Sequence, residues 1–251
     1  MKAMILAAGL GTRLKPMTDF MPKALVEVNG VPVLERTISF LKKEGVEKIS
    51  LNVHHFSCLI IDYLKRKDFG IEIQISDESE RLLDTGGGLV KAYDINFGTD
   101  KTPLLVHNVD IISNADIKKL LEAHLTSSSD ITLLISDRRS SRKLIFDEDY
   151  YLKGWHRISD NIFLPENFKN NENYNEYAFS GIYIINKEAV EEMREIMGIG
   201  KFSIMDYLLN VDRKCVVKGY FQENLELIDI GKPAGLEQAS EFLLKNNLAI
   251  D

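Results

Sequence analysis

Cysteine is scarce. The 251-residue chain holds two, Cys58 and Cys215, far apart and neither in a CxxC pair. That argues against a disulfide framework or a thiolate zinc site, and both thiols are expected to be small buried hydrophobes. Long hydrophobic runs are missing too. No stretch approaches the roughly 20 apolar residues that cross a bilayer. The short apolar run near the N-terminus, Ala3 to Ala8, is too brief for a signal-peptide core. The chain is therefore expected in the cytoplasm, with no membrane partner. Positive charge does not dominate: the net charge is −7, which argues against nucleic acid, whose phosphates select clustered Lys and Arg. Anionic small molecules remain open, because a local cluster of donors holds those whatever the global sign. There is also no Ser-His-Asp set at a recognisable spacing.

What is present is an ordinary globular composition, 45% hydrophobic and 27% charged with six prolines, long enough for a substantial core. Short apolar runs alternate with helical patterns. Strands are expected at Ala3–Ala8, Lys48–Val53, Ile71–Ile75, Pro103–Ile112, Asp130–Ser136, Tyr177–Ile185 and Cys215–Phe221. Helices are expected at Val33–Gly45, Ser57–Lys67, Leu89–Tyr93, Asp116–Leu125, Glu188–Met197, Ser203–Val211 and Pro233–Lys245. Leu144–His156 reads as a hairpin and Pro165–Glu176 as an exposed loop. Such alternation predicts right-handed βαβ crossovers and a mainly parallel sheet. With no internal repeat and no linker, one domain over residues 1–251 is expected, its halves meeting near residue 136.

Five segments carry candidate chemistry. In Leu6-Ala7-Ala8-Gly9-Leu10-Gly11-Thr12-Arg13, a buried strand runs into a loop with two glycines, whose bare backbone can approach a polyphosphate. Arg13 adds a planar fork of donors and Lys23 a mobile charge. A GxG after a strand is weak by itself. A dinucleotide fold wants a third glycine where Leu14 stands, and the P-loop pattern GxxxxGK[ST] is absent. His107-Asn108-Val109-Asp110 closes a strand, where α/β sheets place ligands. Asp110 there suits Mg²⁺, a hard cation that takes oxygen ligands, or is a solvated or helix-capping Asp. Asp229, in Ile228-Asp229-Ile230-Gly231, is a second strand-end carboxylate or a cap near Pro233. In Thr85-Gly86-Gly87-Gly88, glycines ahead of a helix let a flat base slide against backbone while the helix N-terminus offers free N–H groups, or they form a flexible turn. Phe179-Ser180-Gly181 is a bulge-prone strand. His54 and His55 lack partners at metal spacing and read as loop or packed residues. Lys65-Arg66-Lys67 reads as a solvated helix end, and Trp155 as core packing or a pocket wall.

The first segment, continued through Leu14-Lys15-Pro16-Met17-Thr18 and Pro22-Lys23-Ala24-Leu25, resembles the signature GxGTRLxPxTxxxPKxL of the sugar-nucleotide pyrophosphorylases, the sugar-1-phosphate nucleotidyltransferases, at every fixed position. The resemblance implies a Rossmann-like three-layer α/β/α sandwich with a mixed, mainly parallel sheet and a small β/α sugar-binding insertion. It implies that Arg13, Lys23 and Asp110 are catalytic. It places the nucleotide on Leu6, Ala8, Gly9, Gly11, Thr12, Arg13, Lys23, Thr85, Gly86 and Gly87, the sugar on Asn108, Ser180 and Gly181, and Mg²⁺ on Asp110 and Asp229. Many relatives carry Gly where Val109 stands, and Thr where Lys232 stands. The Thr-Gly-Gly-Gly form most resembles the N-acetylmuramate 1-phosphate uridylyltransferase branch, with mannose- and heptose-1-phosphate guanylyltransferases as close variants. The implied reaction joins a nucleoside triphosphate to a sugar 1-phosphate, in a monomer or homodimer. Hexapeptide repeats of an acyltransferase or regulatory β-helix are absent, so the transferase activity alone is expected. A CTP-dependent transferase for phosphocholine-like acceptors and a non-catalytic sugar-nucleotide sensor are the competing readings.

Overall fold

The computed structural model describes residues 1–98 and 101–246. Its strands are β1 (Lys2–Leu6), β2 (Glu27–Val28), β3 (Val31–Pro32), β4 (Lys48–Val53), β5 (Glu72–Asp77), β6 (Leu104–Asn108), β7 (Ile111–Ser113), β8 (Ile131–Ser136), β9 (Arg142–Phe146), β10 (Leu152–Arg157), β11 (Ile162–Leu164), β12 (Asn175–Ile185), β13 (Val217–Phe221) and β14 (Leu227–Asp229). Its helices are α1 (Val33–Lys43), α2 (Ser57–Arg66), α3 (Asp84–Asn96), α4 (Ile117–Thr126), α5 (Lys187–Met197), α6 (Ile204–Leu208) and α7 (Pro233–Lys245).

The main sheet runs β11-β10-β9-β12-β6-β1-β4-β5, with β8 and β13 added beside β12. Strands β6, β1, β4 and β5 are parallel. β12 is antiparallel to β6 and β8, and β13 is parallel to β8. The sheet is thus mixed and mainly parallel in its first half, as expected. Burial on both faces explains the unbroken apolar runs. Along β1, Met4 and Leu6 pack toward Leu89, Val90 and Tyr93 of α3, whereas Ala3 and Ile5 pack toward Leu34, Ile38 and Leu41 of α1. One strand therefore feeds two cores with its period of two. Helices α3, α5 and α6 cover one face and α1, α2 and α4 the other, giving the three layers.

Several boundaries differ from the sequence reading. Pro103–Ile112 is not one strand: β6 stops at Asn108, and β7 restarts at Ile111 to pair with β14. The break lifts Val109 and Asp110 out of the sheet. The glycines of Thr85-Gly86-Gly87-Gly88 lie inside α3, which begins at Asp84, not ahead of a helix starting at Leu89. The expected insertion is a β extension, β9-β10-β11, continued into the main sheet by the long strand β12. Cys58 is exposed and Cys215 half-buried, against the expectation that both are buried. α2 buries Ile60, and Cys58 lies two positions earlier, about 200° round the helix. Lys67 is not merely solvated, since its ammonium binds the buried Glu35, which also accepts from Tyr63. Among the described residues no helix is long and apolar enough to cross a membrane.

Glycine costs helix stability relative to alanine, so a run of three inside α3 needs a packing reason. A Cβ on Gly86 would strike the Phe202 ring, one on Gly87 the carbonyl oxygen of Gly200, and one on Gly88 would lie 2.7 Å from both Asn52 Nδ2 and Glu78 Oε1. At Gly87 the obstacle is backbone, which cannot swing away. Gly87→Ala is expected to destabilise the protein by about 1–3 kcal/mol through overpacking, read as a lower midpoint in urea unfolding.

Candidate active site

The parallel register gathers the site. Leu6 of β1 lies opposite Asn52 of β4 and Asn108 of β6, so three strands end together and their loops share one edge. The loop after β1 is fixed from both sides. Ala7 N–H donates to Asn52 Oδ1 at 2.8 Å, and Val109 N–H donates to the Leu6 carbonyl at 3.1 Å. Asn52 in turn donates to Glu78 Oε1 at 2.7 Å, and Glu78 Oε2 accepts from Leu83 N–H at 3.0 Å. Burial pushes the Glu78 carboxyl up from its ordinary value, against the hydrogen bonds from Asn52 and Leu83. Val109, in place of a glycine, is accommodated as a buried core residue whose N–H still reaches Leu6.

A cavity of about 220 Å³ opens at this edge, lined by Leu6, Ala7, Ala8, Gly9, Lys23, Asn52, Leu82, Asp84, Thr85, Asn108, Val109 and Asp110. Seven predicted residues are on its wall: Leu6, Ala8, Gly9, Lys23, Thr85, Asn108 and Asp110. Asn52, Leu82 and Asp84 were not foreseen. Asn52 carried a signal, a lone amide near the end of a buried strand, between Leu51 and Val53.

The signature loop is held by its own residues. Gly11 sits at φ +65°, the left-handed region that favours glycine. Its carbonyl accepts from Leu14 N–H and from the Thr18 hydroxyl at 2.8 Å. Leu14 and Thr18 are buried, leaving Thr12 and Arg13 facing solvent. Lys23 pairs with Asp110, both largely buried. Arg13 Nη1 lies 3.6 Å from Asp229 Oδ2.

The β7–β14 ribbon brings the second carboxylate in. Asp229 pairs with Ile111, and Ile230 N–H donates to the Asp110 carbonyl at 3.0 Å. Asp229 Oδ1 accepts from Gly231 N–H at 2.8 Å, and Lys232, not Asp229, stands at the N-cap of α7. A Cβ on Gly231 would lie 2.6 Å from Arg13 Nη2, 2.6 Å from Lys23 Nζ and 2.7 Å from Asp229 Oδ1. Arg13, Lys23 and Asp229 thus crowd one residue without a side chain, and Asp110 joins them through its pair with Lys23, so three separate stretches of chain supply the four groups.

The sugar-side candidates are also adjacent. β12 takes four steps from Phe179 to Tyr183 while β8 takes two, from Ile135 to Leu133. In that bulge Gly181 has φ +79° and faces Asn108 so closely that a Cβ would lie 2.6 Å from Asn108 Nδ2. The Ser180 hydroxyl is buried and engaged with Ile182, accepting from its N–H at 3.1 Å. Ser180 therefore shapes the bulge and turns no free hydroxyl to the cavity. His107 is buried and its imidazole is pushed down to about 4 by that burial, so it stays neutral near pH 7.

One expectation needs correction. The N–H groups of Gly86 and Gly87 are not open to a ligand: both donate to the Phe202 carbonyl, at 3.0 and 3.2 Å. Phe202 N–H returns a bond to the Leu83 carbonyl at 3.1 Å, and Ile204 N–H donates to Thr85 Oγ1 at 2.9 Å. The segment before α6 straps the start of α3, satisfying the orphan donors of a helix N-terminus. What it leaves facing the cavity is Leu82, Asp84 and Thr85.

A mixed α/β sheet with its candidate groups gathered beyond the carboxyl ends of parallel strands belongs to the class that binds ligands at that edge. The family match is specific: the nucleotidyl transferase profile spans residues 2–246, and the chain belongs to the nucleotidyl transferase family. N-acetylmuramate alpha-1-phosphate uridylyltransferase of Caulobacter vibrioides is 34% identical over 146 residues, 55% of this chain and 59% of that protein. Mannose-1-phosphate guanylyltransferase 1 of Arabidopsis thaliana is 29% identical over 77% of this chain and 52% of its own length. The chain thus spans little more than half of those two relatives. D-glycero-alpha-D-manno-heptose 1-phosphate guanylyltransferase of Aneurinibacillus thermoaerophilus is 28% identical over 97% of this chain and 98% of its length. Among solved structures, HddC from Yersinia pseudotuberculosis complexed with GMP-PN superposes with a TM-score of 0.74 at 25% identity, covering 96% of this chain and 99% of that one.

The strap has a direct readout. The Gly86 and Gly87 amides are expected to exchange with solvent as slowly as the middle of α3, not at the rate of the exposed loop around Gly9. Hydrogen exchange resolved to these residues checks it; fast exchange would mean that the Phe202 carbonyl does not hold them.

Proposed function

We propose that this protein transfers a nucleotidyl group from a nucleoside triphosphate to a sugar 1-phosphate. The observation that supports the reading most is the convergence of Arg13, Lys23 and Asp229 on Gly231, with Asp110 paired to Lys23. Both reactants are anions, so the chief barrier is their mutual repulsion, and positioning with charge neutralisation is the required chemistry. An oxygen of the sugar phosphate attacks the α-phosphorus. The bond from that phosphorus to the bridging oxygen of the β-phosphate breaks, and pyrophosphate leaves.

Arg13, at the mouth of the loop, offers its fork to the triphosphate. Lys23 lies deeper and carries positive charge to the reacting phosphate. The backbone of Ala8 and Gly9 lines the approach, and Asn108 with Gly181 bounds the sugar side. Asp110 and Asp229 would hold Mg²⁺. Two carboxylates and no nitrogen or sulfur ligand fit a hard cation that completes its shell with waters and substrate phosphates, and among the described residues no group of three or more His, Cys, Asp or Glu forms a metal cluster. Bound there, Mg²⁺ supplies charge neutralisation and alignment of the phosphates.

For the substrates, the uridylyl reading, UTP with N-acetylmuramate 1-phosphate, draws on the 34% identity to the Caulobacter enzyme. The guanylyl reading, GTP with heptose or mannose 1-phosphate, draws on a heptose enzyme that matches 97% of this chain, a mannose enzyme that matches 77% of it, and a solved neighbour complexed with GMP-PN. Melting curves with UTP, GTP, CTP and dTTP plus Mg²⁺ separate these, since a ligand of the native state raises its apparent stability with occupancy.

Arg13→Ala, Lys23→Ala and Asp110→Asn are each expected to lower turnover by about 10²–10³-fold, the scale of removing one transition-state donor, with pyrophosphate release as the assay and melting temperature as the control. Full activity in Arg13→Ala would sink the reading. Gly231→Ala tests the same point from outside the charged groups. Its Cβ displaces only the flexible ends of Arg13, Lys23 and Asp229, so the fold should hold while pyrophosphate release collapses. Chelation by EDTA is expected to stop the reaction, and Mg²⁺ to restore it.

A further inference from the structure

Two cations near this site have no use in the reading above. Arg138 follows β8 and is half-buried. One arm of its guanidinium, Nη2, donates to the Phe179 carbonyl at 2.8 Å, and its Nε is buried with no hydrogen-bond partner. Lys143 on β9 is half-buried beside it, and its ammonium donates to the Arg138 carbonyl at 2.8 Å. Among the described residues neither forms an ion pair. Burial pushes both groups down from their ordinary values, and for Lys143 the nearby Arg138 charge adds to the effect. Two partly desolvated like charges, one with an orphaned donor, are costly unless an anion completes them.

Their place in the fold says which anion. Phe179, which Arg138 holds, is the residue where β12 leaves register with β8. Two positions on, Gly181 touches Asn108, which lines the cavity beside Asp110. The acidic group that most favours the Arg138 charge is Asp229. Glu176 and Asp137 favour the Lys143 charge, but neither forms an ion pair with it, and Glu176 is bonded to His156 Nδ1 at 2.9 Å. Lys153, on the same extension, is already paired with Asp147 at 2.8 Å. Among the described residues, Arg138 and Lys143 are therefore the half-buried cations of this stretch without an ion pair, while Arg139 and Arg142 beside them are exposed.

We propose that Arg138 and Lys143 form an anion-binding subsite for the acceptor, taking either its phosphate or a carboxylate borne on its sugar. This rests on the transferase reading for the identity of the acceptor. A guanidinium arm and an ammonium offer charge-assisted bonds to either oxyanion, and the Phe179 carbonyl fixes the arginine's orientation before the ligand arrives.

The test is calorimetry without turnover on wild type, Arg138→Gln and Lys143→Gln, using N-acetylglucosamine 1-phosphate and N-acetylmuramate 1-phosphate. The two acceptors differ by a lactyl carboxylate. Each substitution is expected to weaken acceptor binding about tenfold to a hundredfold, the range of a charge-assisted hydrogen bond, while affinity for the Mg²⁺-bound nucleotide stays within about twofold, as no contact to it is lost. Equal loss for both acceptors assigns the subsite to the phosphate; loss confined to the muramate derivative assigns it to the carboxylate. Melting temperature should hold or rise, because an unpaired partly buried charge has been removed. The proposal is overturned if both acceptors bind the variants as they bind wild type, if wild type binds neither, or if nucleotide affinity and melting temperature fall together with acceptor affinity. Failure of every Mg²⁺-bound nucleotide to bind wild type would instead remove the transferase reading, and the acceptor titration reads the subsite independently of it.

Discussion

Like charges on Arg13 and Lys23 repel, and so do those on Asp110 and Asp229. Each is tolerable only because the opposite sign lies alongside. Lys23 is held on Asp110 and Arg13 near Asp229, with Gly231 leaving the volume into which Arg13, Lys23 and Asp229 reach. Neither carboxylate could be placed by its own strand alone. Asp110 needs the sheet to stop at Asn108, and Asp229 needs β14 to pair with the strand that restarts at Ile111. The break between β6 and β7 is the constraint on which the rest depends. A continuous strand would put Asp110 into the sheet and leave β14 without a partner at this edge.

A second constraint concerns the start of α3. Three glycines there remove side chains at contacts with Phe202, Gly200 and the Asn52–Glu78 pair, so the helix can sit against both the strand ends and the strap before α6. The chain Ala7–Asn52–Glu78–Leu83 then connects the loop after β1 to the loop that leads into α3. The two walls of the cavity are linked by buried hydrogen bonds, and such fully partnered networks hold groups in fixed relation.

Local pattern carried much of this. Alternation along β1, the Gly stop after α1 and the Pro start of α7 follow from neighbouring residues, and the structure has them. The signature loop was legible because its anchors, Leu14 and Thr18, lie within a few residues of Gly11. What was not legible depended on distant chain. The glycine run reads the same whether its N–H groups face a ligand or the Phe202 carbonyl, and the difference is made by a segment more than a hundred positions away. That the Ser180 hydroxyl is spent inside the bulge was not legible either, because a bulge's internal bonding does not show in composition. Arg138 and Lys143 could not be told from the other basic residues of that half, because burial without a partner is a tertiary property. Cys58 erred the other way, since a residue type's average burial says nothing about which helix face it occupies.

The two sides of the cleft are built differently, and that has a consequence for specificity. In the proposed transfer the nucleotide side would rest on parallel strands in fixed register, where Leu6, Asn52 and Asn108 are aligned by backbone bonds. The acceptor side would hang on β12, whose first residues pair with β9 and whose last residues pair with β6 and β8. The bulge at Phe179 to Gly181 is where the strand changes partners, so residues of the β extension can vary without disturbing the register of the parallel half. Gly181 remains tied to Asn108 by close contact, so a change in the extension is felt in the pocket while the four charged groups around Gly231 stay where the β7–β14 ribbon puts them. One scaffold can thereby keep a single reaction and alter its acceptor.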